Sequence, residues 1–232
     1  MTLNSMSEFD KASSKYEEIL NRGISLSGEN SEYFAFNRVN HIARLHANNN
    51  AKSRILMDFG CGTGGSVRYL LDAFTPKKLF AVDVSKKSLN VLKGKFKDQN
   101  VITQSPFSLE SNINCDLCFC NGVFHHILPI DRLKNAKIIY DSLDVGGYFY
   151  FWENNPWNPA THLVMSRITF DRDAVKVLPH QAVRLLKNVG FKVKLIRYFF
   201  IFPKFLKFLR PTERFFQKFP LGCQYLIVSQ KI

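Results

Sequence analysis

A short glycine-rich turn is the part of the sequence with the clearest capacity for chemistry. The run from Ile55 to Gly65 places glycines at 60, 62, 64 and 65, directly after a mostly apolar stretch. Glycine lets the backbone approach a ligand without an intervening Cβ and tolerates positive φ. Amides at the start of a following helix can donate hydrogen bonds to that ligand. The run therefore predicts a strand, turn and helix that cradle a cofactor.

An acidic residue downstream supports this interpretation. A second apolar run, 79–82, is followed directly by Asp83, nineteen residues after Gly64. A carboxylate at the end of a second strand is placed to accept hydrogen bonds from ribose hydroxyls. Because Gly60, Gly62 and Gly64 are spaced by two, the turn departs from the Gly-x-Gly-x-x-Gly pattern of dinucleotide sites, so it does not favour NAD.

The motif Asp58-x-Gly-Cys-Gly-Thr-Gly, followed by Asp83, resembles the class I S-adenosylmethionine-dependent methyltransferases. The resemblance covers roughly residues 50–152. It implies S-adenosylmethionine as cofactor, with the glycine turn against its methionine moiety and Asp83 on its ribose. Arg38 is a candidate for its carboxylate, because a guanidinium can bind a carboxylate through two parallel hydrogen bonds. The cofactor-binding residues inferred in this way are Arg38, Asp58, Gly60, Cys61, Gly62, Gly64, Asp83, Val84, Ser105, Pro106, Phe107, Asn121 and Gly122.

Two adjacent histidines follow the fourth predicted strand, where the acceptor of such enzymes meets the methyl group. A hydroxyl acceptor must lose its proton, and a positioned base accelerates that step by about 10²–10⁴-fold. We therefore predict His125 or His126 as a general base; the alternative is that both form a hydrogen-bonded pocket wall. Candidates for the acceptor pocket are Tyr16, Tyr33, Glu153, Asn155, Trp157 and His162.

The sequence Asn155-Pro156-Trp157 partly resembles the Asn/Asp-Pro-Pro-aromatic motif of enzymes that methylate amines of nucleic-acid bases. That motif follows the fourth strand, whereas these residues follow the fifth. After the fourth strand the chain has the residues 121–124, Asn-Gly-Val-Phe, with no proline. Methylation of a base amine is therefore not favoured.

The positive charge lies mainly in the C-terminal third. The chain has a formal net charge of +13, and from Arg167 onward it carries 14 Lys and Arg against 3 Asp and Glu. Within this part, the aromatic-basic segment 199–222 interleaves phenylalanines with basic residues. Such a mixture suits an anionic lipid surface, nucleic acid or an amphiphilic substrate. It is also compatible with aromatics that pack inward and lysines that face water.

Cysteine content and hydropathy exclude several classes. Five cysteines are an odd number, and Cys118 and Cys120 lie within an apolar run, so they are expected to be small core residues and not disulfide partners or metal ligands. No metal site is predicted. The N-terminus lacks the features of a secretion signal, and no apolar stretch has the length of a membrane span, so we expect a cytoplasmic protein, with contact at a membrane surface left open.

Strand and helix patterns alternate after residue 50, which predicts an α/β fold. The expected architecture is a Rossmann-like, doubly wound sheet of seven strands, mostly parallel with an antiparallel last strand. Residues 1–50 are expected to form a helical lid, and 51–232 the main domain with its aromatic-basic segment as an insertion. The predicted strands are 55–59, 79–82, 101–103, 116–121, 148–152, 191–198 and 224–229.

Three functions fit these observations. The first is a methyltransferase acting on a small-molecule, apolar or lipid-linked acceptor, on oxygen. The second is an RNA methyltransferase that uses the basic C-terminal third to bind its substrate. The third is a cofactor-binding sensor or membrane-surface subunit that has kept the fold without catalysis.

Overall fold

A computed structural model of the protein describes residues 16–49, 51–97, 99–109, 113–172 and 174–232. Its centre is one seven-stranded sheet with the strand order β3-β2-β1-β4-β5-β7-β6. The strands are β1 (Ile55–Phe59), β2 (Lys78–Val82), β3 (Val101–Gln104), β4 (Cys115–Asn121), β5 (Leu143–Asn154), β6 (Phe191–Phe199) and β7 (Gln224–Lys231).

Helices connect the strands and cover the sheet. They are α1 (Tyr16–Ile24), α2 (Ser31–Asn48), α3 (Val67–Phe74), α4 (Lys86–Lys95), α5 (Pro129–Ser142), α6 (Pro159–Arg167), α7 (Pro179–Val189) and α8 (Glu213–Phe216). Short 3₁₀ helices span Ser25–Ser27, Phe124–His126 and Lys204–Thr212. In the described part of the chain, no helix has the length and apolar character needed to cross a membrane.

The predicted sheet is confirmed. Strands β1 to β5 pair in parallel, and β7 pairs antiparallel with both β5 and β6. Strand order reverses between β1 and β4, whose carboxyl ends carry the glycine turn and the two histidines. Ligands bind at this point of open α/β sheets.

Two apolar layers cover the two faces of the sheet, as alternation along the strands requires. On β4, Cys118 and Cys120 point into one layer, and Leu117 and Phe119 into the other. Cys115, Cys118 and Cys120 are buried free thiols. The cysteines predicted as core residues therefore contribute to packing.

One boundary differs from the sequence-based prediction. The fifth strand was predicted at 148–152, but α5 ends at Ser142 and β5 begins at Leu143, so the strand runs through Gly146 and Gly147. The pairing of β4 with β5 shifts register between Cys115 and Leu117, and Gly146 has φ +86°. Glycine accommodates this irregularity within a strand.

The second helix belongs to the packed body of the protein. Asn30 caps α2 by accepting a hydrogen bond from the Tyr33 amide. Further along the helix, Val39 and Ile42 are buried in the same core layer as β1 and β2 residues. The division into a lid of residues 1–50 and a main domain stays a prediction, and residues 1–15 lie outside the described part.

Candidate functional site

Two adjoining cavities open at the carboxyl ends of the parallel strands. The smaller, of about 80 Å³, is lined by the glycine turn and the residues after β2. The larger, of about 300 Å³, lies among α1, α2, α6 and the start of the aromatic-basic segment. Four residues line both cavities, namely Tyr16, Asn121, Gly122 and His126. These shared residues mark where two ligands would meet.

The glycine turn has the backbone that a cofactor cradle needs. Gly60 and Gly62 both line the smaller cavity with positive φ, +79° and +53°. A Cβ at Gly62 would meet nothing within 4 Å, so the turn has an open side there. At Gly64 a Cβ would lie 3.1 Å from Leu92 and 3.0 Å from Phe96, so this glycine allows close packing against α4. Gly64 is absent from the cavity lining.

Asp83 fixes the turn and faces the smaller cavity. Its Oδ2 accepts a hydrogen bond from the Gly62 amide at 2.8 Å, and its Oδ1 accepts one from the Ser85 amide at 2.8 Å. Each carboxylate oxygen can accept two hydrogen bonds. The two backbone bonds therefore orient the group, and ribose hydroxyls can still donate to it. The arrangement fits the ribose role that the resemblance implies.

Two further predicted cofactor residues, one in β1 and one in the turn itself, are buried. Asp58 is buried, and its Oδ2 has no hydrogen-bond partner in the described structure. Burial, together with the charge of Asp83, raises the pKa of Asp58 to about 8. Cys61 is also buried. Neither side chain is among the residues that line a cavity.

The remaining predicted cofactor-binding residues divide into two groups. Val84 and Pro106 line the smaller cavity, as do Asn121 and Gly122 after β4. Phe107 is 71% exposed and does not line it. Ser105 accepts hydrogen bonds from within its own turn and is likewise absent from the lining. Pro106 is thus the best-placed contact after β3.

His125 is held as a charged group. Its Nδ1 lies 2.7 Å from Glu153 Oε2, and its Nε2 lies 3.4 Å from Asp171 Oδ1. Burial opposes the charge, but the two carboxylates outweigh burial and raise the pKa of His125 to about 10. The predicted role of general base does not suit His125 at neutral pH, because an imidazolium has no nitrogen to accept a proton.

His126 has the opposite character. Burial and the neighbouring charge of His125 lower the pKa of His126, so its ring is neutral at pH 7. Its Nε2 lies 3.1 Å from Asp171 Oδ1, so this carboxylate orients the ring. Because His126 also lines both cavities, it is the histidine suited to act as a base.

The two histidines and Asp171 also carry atoms that can act as metal ligands. Ligand atoms of His125, His126 and Asp171 lie within 4.8 Å of one another. In this structure the hydrogen bonds to the two carboxylates already give each histidine a defined proton arrangement. That the protein uses no metal stays a prediction.

Arg38 lies on the wall of the larger cavity. Its Nε donates a hydrogen bond to Gln224 Oε1 at 2.9 Å. Burial lowers the pKa of Arg38 to about 10, so it is still charged at pH 7. No carboxylate of the described residues forms an ion pair with it, so its remaining N–H groups suit an anionic ligand group.

The acceptor-pocket candidates also divide. Tyr16 lines both cavities and stacks on Phe170, and Tyr33 lines the larger one. Four others lie outside both linings, namely Glu153, Asn155, Trp157 and His162.

Each of these four has a different structural contact. Glu153 holds His125, and the Asn155 amide donates hydrogen bonds to the carbonyls of Pro220 and Gly222. Trp157 stacks on His180, and the His162 ring contacts the Pro156 carbonyl. The loop after β5 thus anchors the segment before β7 and leads into α6, a helix that sequence analysis missed.

Asp171 is the main functional candidate that sequence analysis missed. It is buried, contacts both histidines, and lines the larger cavity, although 45 residues separate it from His126. Its neighbours in the chain show no strand or helix periodicity. Only the pair of acids at 171 and 173, in an otherwise basic third, could have drawn attention to it.

Comparisons with known proteins agree with this geometry. Residues 57–151 match the family model described as "Methyltransferase domain". A solved S-adenosylmethionine-dependent methyltransferase of Thermotoga maritima covers 98% of this chain and is itself covered fully, with a TM-score of 0.67 at 15% identity. One from Archaeoglobus fulgidus covers 83% of this chain and is covered to 94%, with a TM-score of 0.61 at 17% identity. Residues 57–151 thus match a methyltransferase domain, and the chain has the fold of the class I S-adenosylmethionine-dependent methyltransferases.

Curated relatives match part of the chain. A malonyl-[acyl-carrier protein] O-methyltransferase of Coxiella burnetii is 30% identical over 61% of this chain and 55% of the relative. A trans-aconitate 2-methyltransferase of Rhodopseudomonas palustris is 25% identical over 51% of this chain and 45% of the relative. The chain thus spans about half the length of the curated relatives it matches.

Proposed function

We propose that the protein transfers a methyl group from S-adenosylmethionine to a small-molecule acceptor, on oxygen. One observation carries the proposal: His126, a neutral imidazole oriented by Asp171, lines both the cavity of the glycine turn and the larger cavity beside it. A base at that junction reaches the place where an acceptor would approach the cofactor.

The residues of the chain supply positioning and proton removal. S-adenosylmethionine provides a methyl group on a positively charged sulfur, which is already a good leaving group. Gly60, Gly62 and Asp83 would hold the cofactor, and Arg38 would bind its carboxylate. His126 would take the proton of an acceptor hydroxyl, while Asp171 stabilises the imidazolium that forms. The already charged His125 keeps Asp171 ionised, because its hydrogen bond helps to lower the pKa of that carboxyl.

The larger cavity favours an acceptor with an apolar body. Its walls are mostly aliphatic and aromatic, with Leu20, Phe34, Val164, Met165 and Ile201 among them. Its polar lining includes Arg38, Asn121 and His126. Apolar walls with a few convergent polar groups are typical of small-molecule sites. The names of two relatives support a small-molecule acceptor in general, and one of them names methylation on oxygen.

Incubation with labelled S-adenosylmethionine and a cell extract tests this function. The products are separated into lipid, nucleic-acid and water-soluble pools, with Asp83→Asn as the matched inactive variant. Label in the lipid or small-molecule pool, absent with the variant, is the expected result. Label confined to RNA would replace this proposal with the RNA methyltransferase, and cofactor binding without any transfer would favour the sensor.

A further inference from the structure

The outward side of the aromatic-basic segment carries an unusual set of exposed side chains. Phe205 and Phe208 are 75% and 70% exposed, and both lie in the kinked 3₁₀ segment Lys204–Thr212. Phe215, Phe219 and Leu221 follow with more than half of each side chain exposed. Water-facing phenylalanines in this number mark an interaction surface and not a packed core.

Basic residues alternate with these phenylalanines. Exposed basic side chains lie at Lys204, Lys207, Arg214 and Lys218, whereas the one acidic residue of the segment, Glu213, is turned inward. Its Oε1 accepts hydrogen bonds from the Ile201 and Phe202 amides. The outward side is therefore both apolar and positively charged.

The segment is fixed to the body of the protein. Arg210 donates a hydrogen bond to Glu29 Oε1 at 2.9 Å, and its guanidinium carbon lies 4.8 Å from the centre of the Tyr33 ring. Arg210 Nε also donates to the Phe202 carbonyl. These contacts hold the phenylalanines outward, so their exposure belongs to the folded state.

This surface borders the larger cavity. Ile201, Phe202 and Pro203 line the cavity, directly before the first exposed basic residue, Lys204. Leu26 also lines it and is half exposed, so it belongs to the cavity's rim. The Lys204 side chain packs at Gly28, two residues from Leu26. The exposed phenylalanines and the cavity rim are thus neighbouring parts of one surface.

We infer that the outward side of the aromatic-basic segment docks on an anionic lipid membrane and turns the rim of the larger cavity toward it. Phenylalanines enter the boundary between headgroups and acyl chains, while lysines and arginines meet the anionic headgroups. Leu221 and the rim residue Leu26 favour lipid over RNA, because aliphatic side chains enter acyl chains but offer no ring for base stacking. A second copy of the chain is disfavoured, because pairing this surface with itself brings like charges together.

Docking has a consequence for the acceptor, which rests on the proposed function. A cavity that opens at a membrane admits an acceptor whose apolar tail stays in the bilayer while its hydroxyl reaches His126. Docking itself requires no methyl transfer, so the two can be tested separately.

Co-sedimentation with vesicles tests the docking. Purified protein is mixed with vesicles of phosphatidylcholine alone or of phosphatidylcholine with phosphatidylglycerol, at low and raised salt. We expect binding to the anionic vesicles that falls with salt, and at least about a tenfold loss of binding for the double variant Phe205→Ser, Phe208→Ser. The matched control replaces two exposed aliphatic residues elsewhere, Ile130→Ser and Val145→Ser, and should bind like the unmodified protein.

Three results would overturn the inference. The first is equal sedimentation of the phenylalanine variant and the control, and the second is RNA binding without vesicle binding. The third is a dimer in light scattering that the phenylalanine variant abolishes, again without vesicle binding. Thermal unfolding and S-adenosylmethionine affinity of each variant, measured in parallel, separate loss of docking from loss of fold and from failure of the proposed function.

Discussion

Glu153 and His125 form a buried ion pair across neighbouring parts of the fold. Glu153 lies near the end of β5, and its Oε2 is 2.7 Å from Nδ1 of His125, which follows β4. The other carboxylate oxygen, Oε1, accepts the Phe124 amide at 2.8 Å. Both side chains are almost fully buried. The pair fixes the backbone that carries the histidines, so His126 is oriented by the fold before any ligand binds.

The first prediction is that His125 stays protonated well above neutral pH. Its pKa of about 10 exceeds the ordinary value of 6.5, because the carboxylates of Glu153 and Asp171 outweigh the effect of burial. Imidazole NMR signals, followed against pH, should show one ring that remains charged through pH 8. Titration of all assigned rings near or below 6.5 would refute this.

The same pair makes stability depend on pH. The pKa of His125 is higher in the folded protein than in the unfolded chain. Its charged form therefore stabilises the fold fully below about pH 6.5, and this contribution is lost as pH rises toward 10. Glu153→Gln leaves the buried charge of His125 with only its longer contact to Asp171 and should lower the free energy of unfolding by up to about 3–5 kcal/mol. Denaturant unfolding at several pH values measures both effects, with Glu18→Gln on the exposed side of α1 as control.

The second prediction concerns His126 as base. His126→Asn should lower the turnover of a hydroxyl acceptor by about 10²–10⁴-fold and change S-adenosylmethionine affinity little. Activity of the unmodified enzyme should fall in acid, below the ordinary histidine pKa of 6.5, because burial and His125 lower the pKa of His126. Rate against pH, with His162→Asn as the control histidine, checks both. A variant that keeps its rate would show that the acceptor needs no protein base.

Periodicity and glycine chemistry predicted most of the fold. The seven strands, their mainly parallel arrangement and the cradle at Gly60 and Gly62 follow from local patterns that tertiary packing reinforces. Helix α6 was missed because the prolines and asparagines before it are typical of a loop. Those residues do form a turn, but Asn158 then caps the helix by accepting a hydrogen bond from the Ala160 amide.

The roles of the candidate site residues were harder to predict from the sequence, because they depend on partners that are distant in the chain. Nothing local distinguishes His125 from His126. Glu153 and Asp171 make the two rings different. Together they keep His125 charged, whereas the ring of His126 is neutral and is oriented by Asp171. Likewise, Asn155 and Trp157 resembled pocket residues, yet their partners at Pro220, Gly222 and His180 are known only from the folded chain.

The third prediction concerns the anionic group bound by Arg38. Arg38→Gln keeps a donor for Gln224 but removes the charge, and we expect at least about a tenfold weaker binding of S-adenosylmethionine, since hydrogen bonds to charged groups contribute about 1.5–3 kcal/mol. Arg44→Gln is the matched control, because Arg44 lies on the exposed side of the same helix. Calorimetry of cofactor binding gives the affinity. An unchanged affinity with a raised KM for the acceptor would instead place Arg38 on the acceptor's own anionic group.

The fourth prediction separates folding from binding within the glycine turn. Alanine at Gly60 or Gly62 incurs the cost of a left-handed backbone, about 1–2 kcal/mol. At Gly60 the new Cβ would also meet the Val123 side chain well inside contact distance, whereas at Gly62 it would enter open space. Gly60→Ala should therefore destabilise folding more than Gly62→Ala does.

Gly62→Ala should remain folded but lose cofactor affinity, because its methyl group takes space beside the ligand. Thermal unfolding and cofactor calorimetry, applied to both variants, give the two quantities. Equal loss of stability at the two positions, or undiminished affinity in Gly62→Ala, would show that the open side of the turn does not face the cofactor.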